Sequence, residues 1–102
     1  MLETSNANGQ IFTGDVQLVH AVGMHARPAV KLTKLAKKFQ AQISVRVAGA
    51  AEWINAKSVA KIMAMRAAHG STIEIKASGS DAEAAVAALV ELVASDFPDG
   101  AS

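Results

Sequence analysis

The chain has 102 residues, of which 51% are hydrophobic, 19% charged and only 4% aromatic, with a formal net charge of +1 and a mean hydropathy of +0.24. This is one globular domain's worth of chain rather than a disordered segment. The absence of cysteine excludes a disulfide scaffold, a thiolate metal site and a cysteine nucleophile.

Residues 1–10, MLETSNANGQ, are small and polar and are expected to form a flexible extension without a secretory signal. From Phe12 to Val19, the shared parity of Phe12, Val16 and Leu18 predicts a half-buried strand. The segment Gly23-Met24-His25-Ala26-Arg27-Pro28-Ala29 follows, with a proline suited to the first turn of a helix. Leu32, Leu35, Ala36 and Phe39 at i, i+3, i+4 and i+7 then predict an amphipathic helix over about 26–39. Its other side carries Arg27, Lys31, Lys34 and Lys38, with Lys37 beside them.

Ile43, Val45 and Val47 predict a second strand, and Glu52 to Asn55 a short third one. Ser58 is placed to N-cap a short second helix containing Val59, Ile62, Met63 and Met65. Ile73, Ile75 and Ala77 predict a fourth strand. Ser80-Asp81-Ala82-Glu83 matches a capping box, and Val86, Leu89, Val90 and Val93 extend a third helix to about Ser95. Residues 98–102 are expected to be a flexible tail, leaving residues 11–97 as the folded domain.

The order β-α-β-β-α-β-α with alternating strands predicts an α+β open-faced sandwich, a four-stranded antiparallel sheet with three helices on one face. The longest apolar run, Ala84 to Val90, is seven residues and is too short to cross a bilayer, so a soluble cytoplasmic monomer is expected. Charge is unevenly placed. Arg27 to Arg66 holds nine basic residues and one acidic one, and the rest of the chain one basic and eight acidic. Unless the fold interleaves the two parts, one face is positive and suits an anionic partner.

A histidine just ahead of a helix faces unpaired backbone N–H groups and the positive end of the helix dipole, which together favour an anion. Arg27 adds a forked cation suited to phosphate, and the amides of Ala26 and Arg27 are the candidate phosphate-binding donors. A neutral imidazole at His25 in such a place can attack a phosphoryl group and later give it up, because phosphoryl transfer needs mainly positioning and charge stabilisation. His20 is read as a strand-end residue near this loop and His69 as a helix-end residue. No metal site is expected from these histidines without cysteine, and no cofactor.

The string Gly23-Met24-His25-Ala26-Arg27-Pro28-Ala29 resembles the active-site motif of the phosphocarrier HPr family of the phosphoenolpyruvate:sugar phosphotransferase system. Ile54-Asn55-Ala56-Lys57-Ser58, followed by a short helix and Gly70, matches a second motif of that family in register, and the resemblance runs from about Phe12 to Val93. It implies that His25 is phosphorylated on Nδ1 and that Arg27 contacts the phosphate. It also implies that Ser58 stands at the position that a serine kinase, with its phosphorylase, regulates in some bacteria. The implied partners are enzyme I and sugar-specific acceptor proteins, docked on the first two helices. Lys34, Lys37, Lys57 and Lys61 are the candidate rim cations around an apolar centre of Val59, Ala60, Ile62 and Met63, with one of Ile62 and Met63 expected in the core. Such a carrier is not expected to turn over substrate alone.

Two positions depart from the resemblance. Arg66 stands where the family commonly has glycine. Trp53, with the N-terminal extension, is more similar to modules of multiphosphoryl transfer proteins, one class of which feeds dihydroxyacetone kinase. A small basic nucleic-acid-binding domain is the rival reading, against which stands the scattering of Phe12, Phe39, Trp53 and Phe97 over different elements rather than as paired stacking platforms.

Overall fold

The computed structural model describes residues 10–98. The predicted tails at 1–10 and 98–102 therefore fall almost wholly outside the described residues. The elements run β1 (Ile11–Gln17), α1 (Ala26–Ala36), β2 (Gln42–Val47), β3 (Ile54–Asn55), α2 (Val59–Ala64), β4 (Thr72–Ser78) and α3 (Ala82–Ala94). The strands form one antiparallel sheet in the order β1-β4-β2-β3, with the helices on one face, as the alternating strands predict.

Register shows why each strand alternates. Phe12, Ala77 and Ile43 form one cross-strand row, Gly14, Ile75 and Val45 a second, and Val16, Ile73 and Val47 a third. These rows face the helices. Ile73, Ile75 and Val45 are fully buried, and Leu32, Ile62, Leu89 and Val93 close the core from above. At Gly14 a Cβ would lie 2.9 Å from Val86 Cγ1, so the missing side chain is what lets α3 settle on β1.

The opposite face is polar. Thr13, Lys76 and Ser44 make one row there, and Asp15, Glu74 and Arg46 the next. Arg46 Nε donates to Glu74 Oε1 at 2.6 Å, and the Trp53 ring lies against both Arg46 and Lys76 at 4.4 Å. Trp53 stays outside strand pairing, so β3 is shorter than the Glu52–Asn55 reading.

Other boundaries also shift for local reasons. Helix α1 stops at Ala36, not Phe39, because Lys38 and Phe39 donate to the carbonyls of Leu35 and Ala36, an i→i−3 tightening of the last turn. The capping box at Ser80 does not form. Asp81 is the N-cap of α3, and its carboxylate turns away to accept the backbone N–H groups of Gln40 and Ala41 at 2.9 and 2.8 Å. That bond spends the side chain on tying the α1–β2 loop to the start of α3. Ser58 does cap α2, its Oγ accepting from the Lys61 N–H at 3.3 Å.

Candidate functional site

His25 is the N-cap residue of α1, with extended backbone, and its carbonyl accepts the Ala29 N–H at 2.9 Å. Its side chain makes no cap bond, which leaves the first-turn N–H groups without a side-chain cap from the imidazole. Pro28 is buried in that first turn. The loop before it is held from both sides. Gly23, at φ 77°, donates to the His20 carbonyl at 2.9 Å and closes a turn, and Met24 donates to the Ala67 carbonyl at 2.8 Å.

This turn brings His20 back against His25. The two Nε2 atoms are 3.1 Å apart and the ring centroids 5.1 Å apart. His20 Nδ1 is in turn 2.8 Å from Asp96 Oδ1. Asp96 and Phe97 leave the end of α3 with φ of 63° and 51°, which turns the chain back toward the His20 ring. Phe97 is buried and meets that ring edge-on at 6.1 Å. The Phe97 carbonyl accepts from Lys31 Nζ at 2.8 Å, fastening α1 to the end of α3.

His20, His25, Arg27, Pro28, Lys31, Asp96, Phe97 and Pro98 line one open cleft of about 390 Å³. Arg27 lies exposed at its rim. Sequence reading placed His25 and Arg27 here together and His20 nearby. It did not find Asp96 as a site residue, because nothing local marks a residue 71 positions after His25 as its neighbour, and it took Lys31 only as part of the basic side of α1. Among the described residues, no group of three or more His, Asp or Glu side chains is placed to hold a metal ion.

The remaining candidates separate. Lys34, Lys37 and Lys61 are exposed, and Met63 is 40% exposed. Ile62 is fully buried beneath α2 and is withdrawn from the apolar surface, while Val59 is half-buried against the core. Lys57 is not a free rim cation, since its Nζ donates to the Phe39 carbonyl at 2.7 Å. Val30 on α1 is also exposed, as are Ile11, Val19 and Val22 outside the helices. His69 is not at a helix end: it lies exposed in the turn before Gly70, after α2 has ended at Ala64. Arg66 is exposed with φ 53°, a backbone that explains the family's glycine there. The positive charge is thus concentrated on α1 and α2, while Arg46, Lys57 and Lys76 are spent elsewhere.

A family model described as the PTS HPr component phosphorylation site matches residues 12–95. The chain belongs to the HPr family of the phosphotransferase system. HPr from Cupriavidus necator is 35% identical over 84% of this chain and 94% of that protein, and the phosphocarrier NPr of Escherichia coli K12 is 37% identical over 82% and 92%. Among solved structures, an HPr from Thermoanaerobacter tengcongensis superimposes with a TM-score of 0.78 at 35% identity, covering 84% of this chain and 94% of that one. The β-α-β-β-α-β-α sheet is therefore an HPr fold, and the protein is a phosphocarrier of the HPr type. No helix among the described residues is long and apolar enough to cross a membrane.

Proposed function

We propose that His25 accepts a phosphoryl group on Nδ1 from phosphorylated enzyme I and passes it to sugar-specific acceptor proteins, with residues 11–97 forming the working domain in the cytoplasm. The observation that carries this reading is the position of His25: an N-cap imidazole, half-exposed over a cleft rimmed by Arg27, with only its Nε2 engaged among the described residues. The helix end and the guanidinium stabilise the phosphate charge without trapping it, since each exposed helix-end interaction is worth roughly 0.3–1 kcal/mol. Arg27 contacts the phosphate, and the Ala26 and Arg27 amides are placed to donate to it.

The test is incubation with phosphoenolpyruvate, Mg²⁺ and enzyme I, followed by intact mass. One added phosphate, labile in acid and absent in His25→Ala, is the expected result. An acid-stable adduct overturns the reading. Lys34, Lys37 and Lys61 supply charge to the docking surface on α1 and α2, with exposed Met63 and half-buried Val59 as apolar contacts. Ser58 is the candidate regulatory site: a phosphate there would sit at the start of α2 and repel an acidic partner without unfolding the helix.

A second reading has its own support. The multiphosphoryl transfer protein of Vibrio cholerae is 38% identical over 76% of this chain, which spans 20% of that protein. With the Trp53-Ile54-Asn55-Ala56-Lys57-Ser58 string, this favours a carrier of the module type; a downstream dihydroxyacetone kinase rests on the sequence resemblance alone. Offering the phosphorylated chain to that kinase and to a sugar-specific acceptor in parallel, and timing loss of the phosphate, separates the two readings.

A further inference from the structure

We infer that Asp96 and His20 form a relay that fixes the proton of His25 on Nε2, leaves Nδ1 bare toward the cleft, and shares the positive charge created when Nδ1 takes up a phosphoryl group. The inference rests on His25 being the acceptor, and deepens that reading by assigning two positioning residues to the site.

The hydrogen-bond inventory leads to this arrangement. An ionised carboxylate only accepts, so at 2.8 Å from Asp96 Oδ1 the His20 Nδ1 must carry a proton. A neutral His20 then has a bare Nε2. At 3.1 Å from it, His25 Nε2 must be the donor. The proton of neutral His25 is thereby assigned to Nε2, and the lone pair of the nucleophile lies on Nδ1. The parts are held, not merely adjacent. The Gly23 N–H to His20 carbonyl bond closes the turn that stacks the two rings, and buried Phe97 braces the far side of His20 edge-on. The left-handed backbone at Asp96 and Phe97 aims the carboxylate at the ring.

During transfer, the Nδ1 lone pair forms the new N–P bond. The donor's bond to phosphorus breaks, and its electron pair returns to the donor. The His25 ring, now phosphorylated on Nδ1 and protonated on Nε2, is cationic. Its Nε2 proton lies on a short path to His20 Nε2, and the charge that reaches His20 faces Asp96. No proton is gained or lost overall, and the return step reverses the same movements.

The test begins with the unphosphorylated protein, by ¹⁵N NMR of its imidazoles. The expected spectrum has His25 protonated on Nε2, with a through-bond N–N coupling to His20 Nε2. In His20→Ala that coupling disappears and the tautomer is no longer fixed, whereas His20→Gln, whose amide oxygen can accept from His25 Nε2–H, keeps it. In phosphoryl uptake from phospho-enzyme I, kcat of His20→Ala falls about ten- to hundredfold with KM unchanged, the range that one hydrogen bond to a charged group is worth. Asp96→Asn, which suits the left-handed backbone, lowers kcat by a smaller factor. A proton found on His25 Nδ1 in the wild type, or a tautomer and kcat indifferent to His20→Ala, overturns the relay while leaving His25 as acceptor. Undiminished phosphate uptake by His25→Ala overturns the acceptor reading itself.

Discussion

Gly23 sits against the backbone of Ala67 so closely that a Cβ on it would be 2.6 Å from the Ala67 carbonyl oxygen. That same oxygen accepts the Met24 N–H, so the contact sets how the His25 loop is seated on the loop after α2. Gly23 is also at φ 77°. A side chain there meets a backbone atom that cannot rotate away, in a conformation that L-residues disfavour by roughly 1–2 kcal/mol.

Gly23→Ala is therefore expected to lower stability by about 2 kcal/mol or more, the left-handed penalty plus the clash. Urea titration measures it. Because the displaced loop carries both His20 and His25, phosphate uptake should fall even where the variant is fully folded.

Arg66 is expected to give the opposite result. It is exposed at φ 53°. Arg66→Gly removes a left-handed penalty of roughly 1–2 kcal/mol and adds back a part of it as unfolded-chain entropy. A net gain of about 0.5–1 kcal/mol should appear as a higher thermal midpoint. A lower midpoint would show that the arginine side chain contributes more than its backbone costs.

Asp81 should make stability depend on pH at the acid end. The Gln40 N–H above all holds its carboxyl below the usual value near 3.8; burial opposes this, and the N–H groups of Ala41 and Asp81 and the charge of Lys57 add to the lowering. A carboxyl lowered in the folded state stabilises the fold above its unfolded value, and that contribution is lost as pH falls through the folded value. Asp81→Asn should thus be less stable than wild type at neutral pH, and the gap should begin to narrow as pH falls below about 3.8. Parallel denaturation curves at pH 7 and pH 3 report the difference, and a gap of the same size at both would contradict the charge-based account.

Lys34 tests the docking surface. It is exposed on α1, on the same helix as the site but outside the cleft. Lys34→Glu should slow phosphoryl uptake from enzyme I several-fold at low salt and much less at high salt, because rim charges act mainly on encounter and are screened. Equal losses at both ionic strengths would point instead to a direct contact or a folding defect.

Much of this was legible in the chain. Apolar alternation at Phe12, Val16, Ile43, Val45, Ile73 and Ile75 marked three of the four strands, β1, β2 and β4, with one wet face, because period-two patterning has few other uses. His25, Pro28 and the apolar stripe that follows located a histidine at a helix start, and Ser58 announced the cap it makes. Where local reading failed, a distant group had won the side chain. The capping box of Ser80 with Glu83 did not form, since Asp81 became the N-cap residue of α3 and its carboxylate went to the amides of Gln40 and Ala41. Lys57 left the candidate docking rim for the Phe39 carbonyl. The choice between Ile62 and Met63 for the core was open in the sequence, and packing settled it on Ile62.

The amino-acid order alone determined the element types, the open-faced architecture and the nucleophile candidate with its arginine, since each depends on contacts within a few residues or on simple periodicity. Only tertiary folding decided that the end of α3 returns to the first loop and places Asp96 beside His20, and His20 beside His25. That meeting spans 76 residues between Asp96 and His20. It is settled by helix packing on the sheet and by two left-handed residues at a chain reversal, neither of which leaves a mark in local sequence.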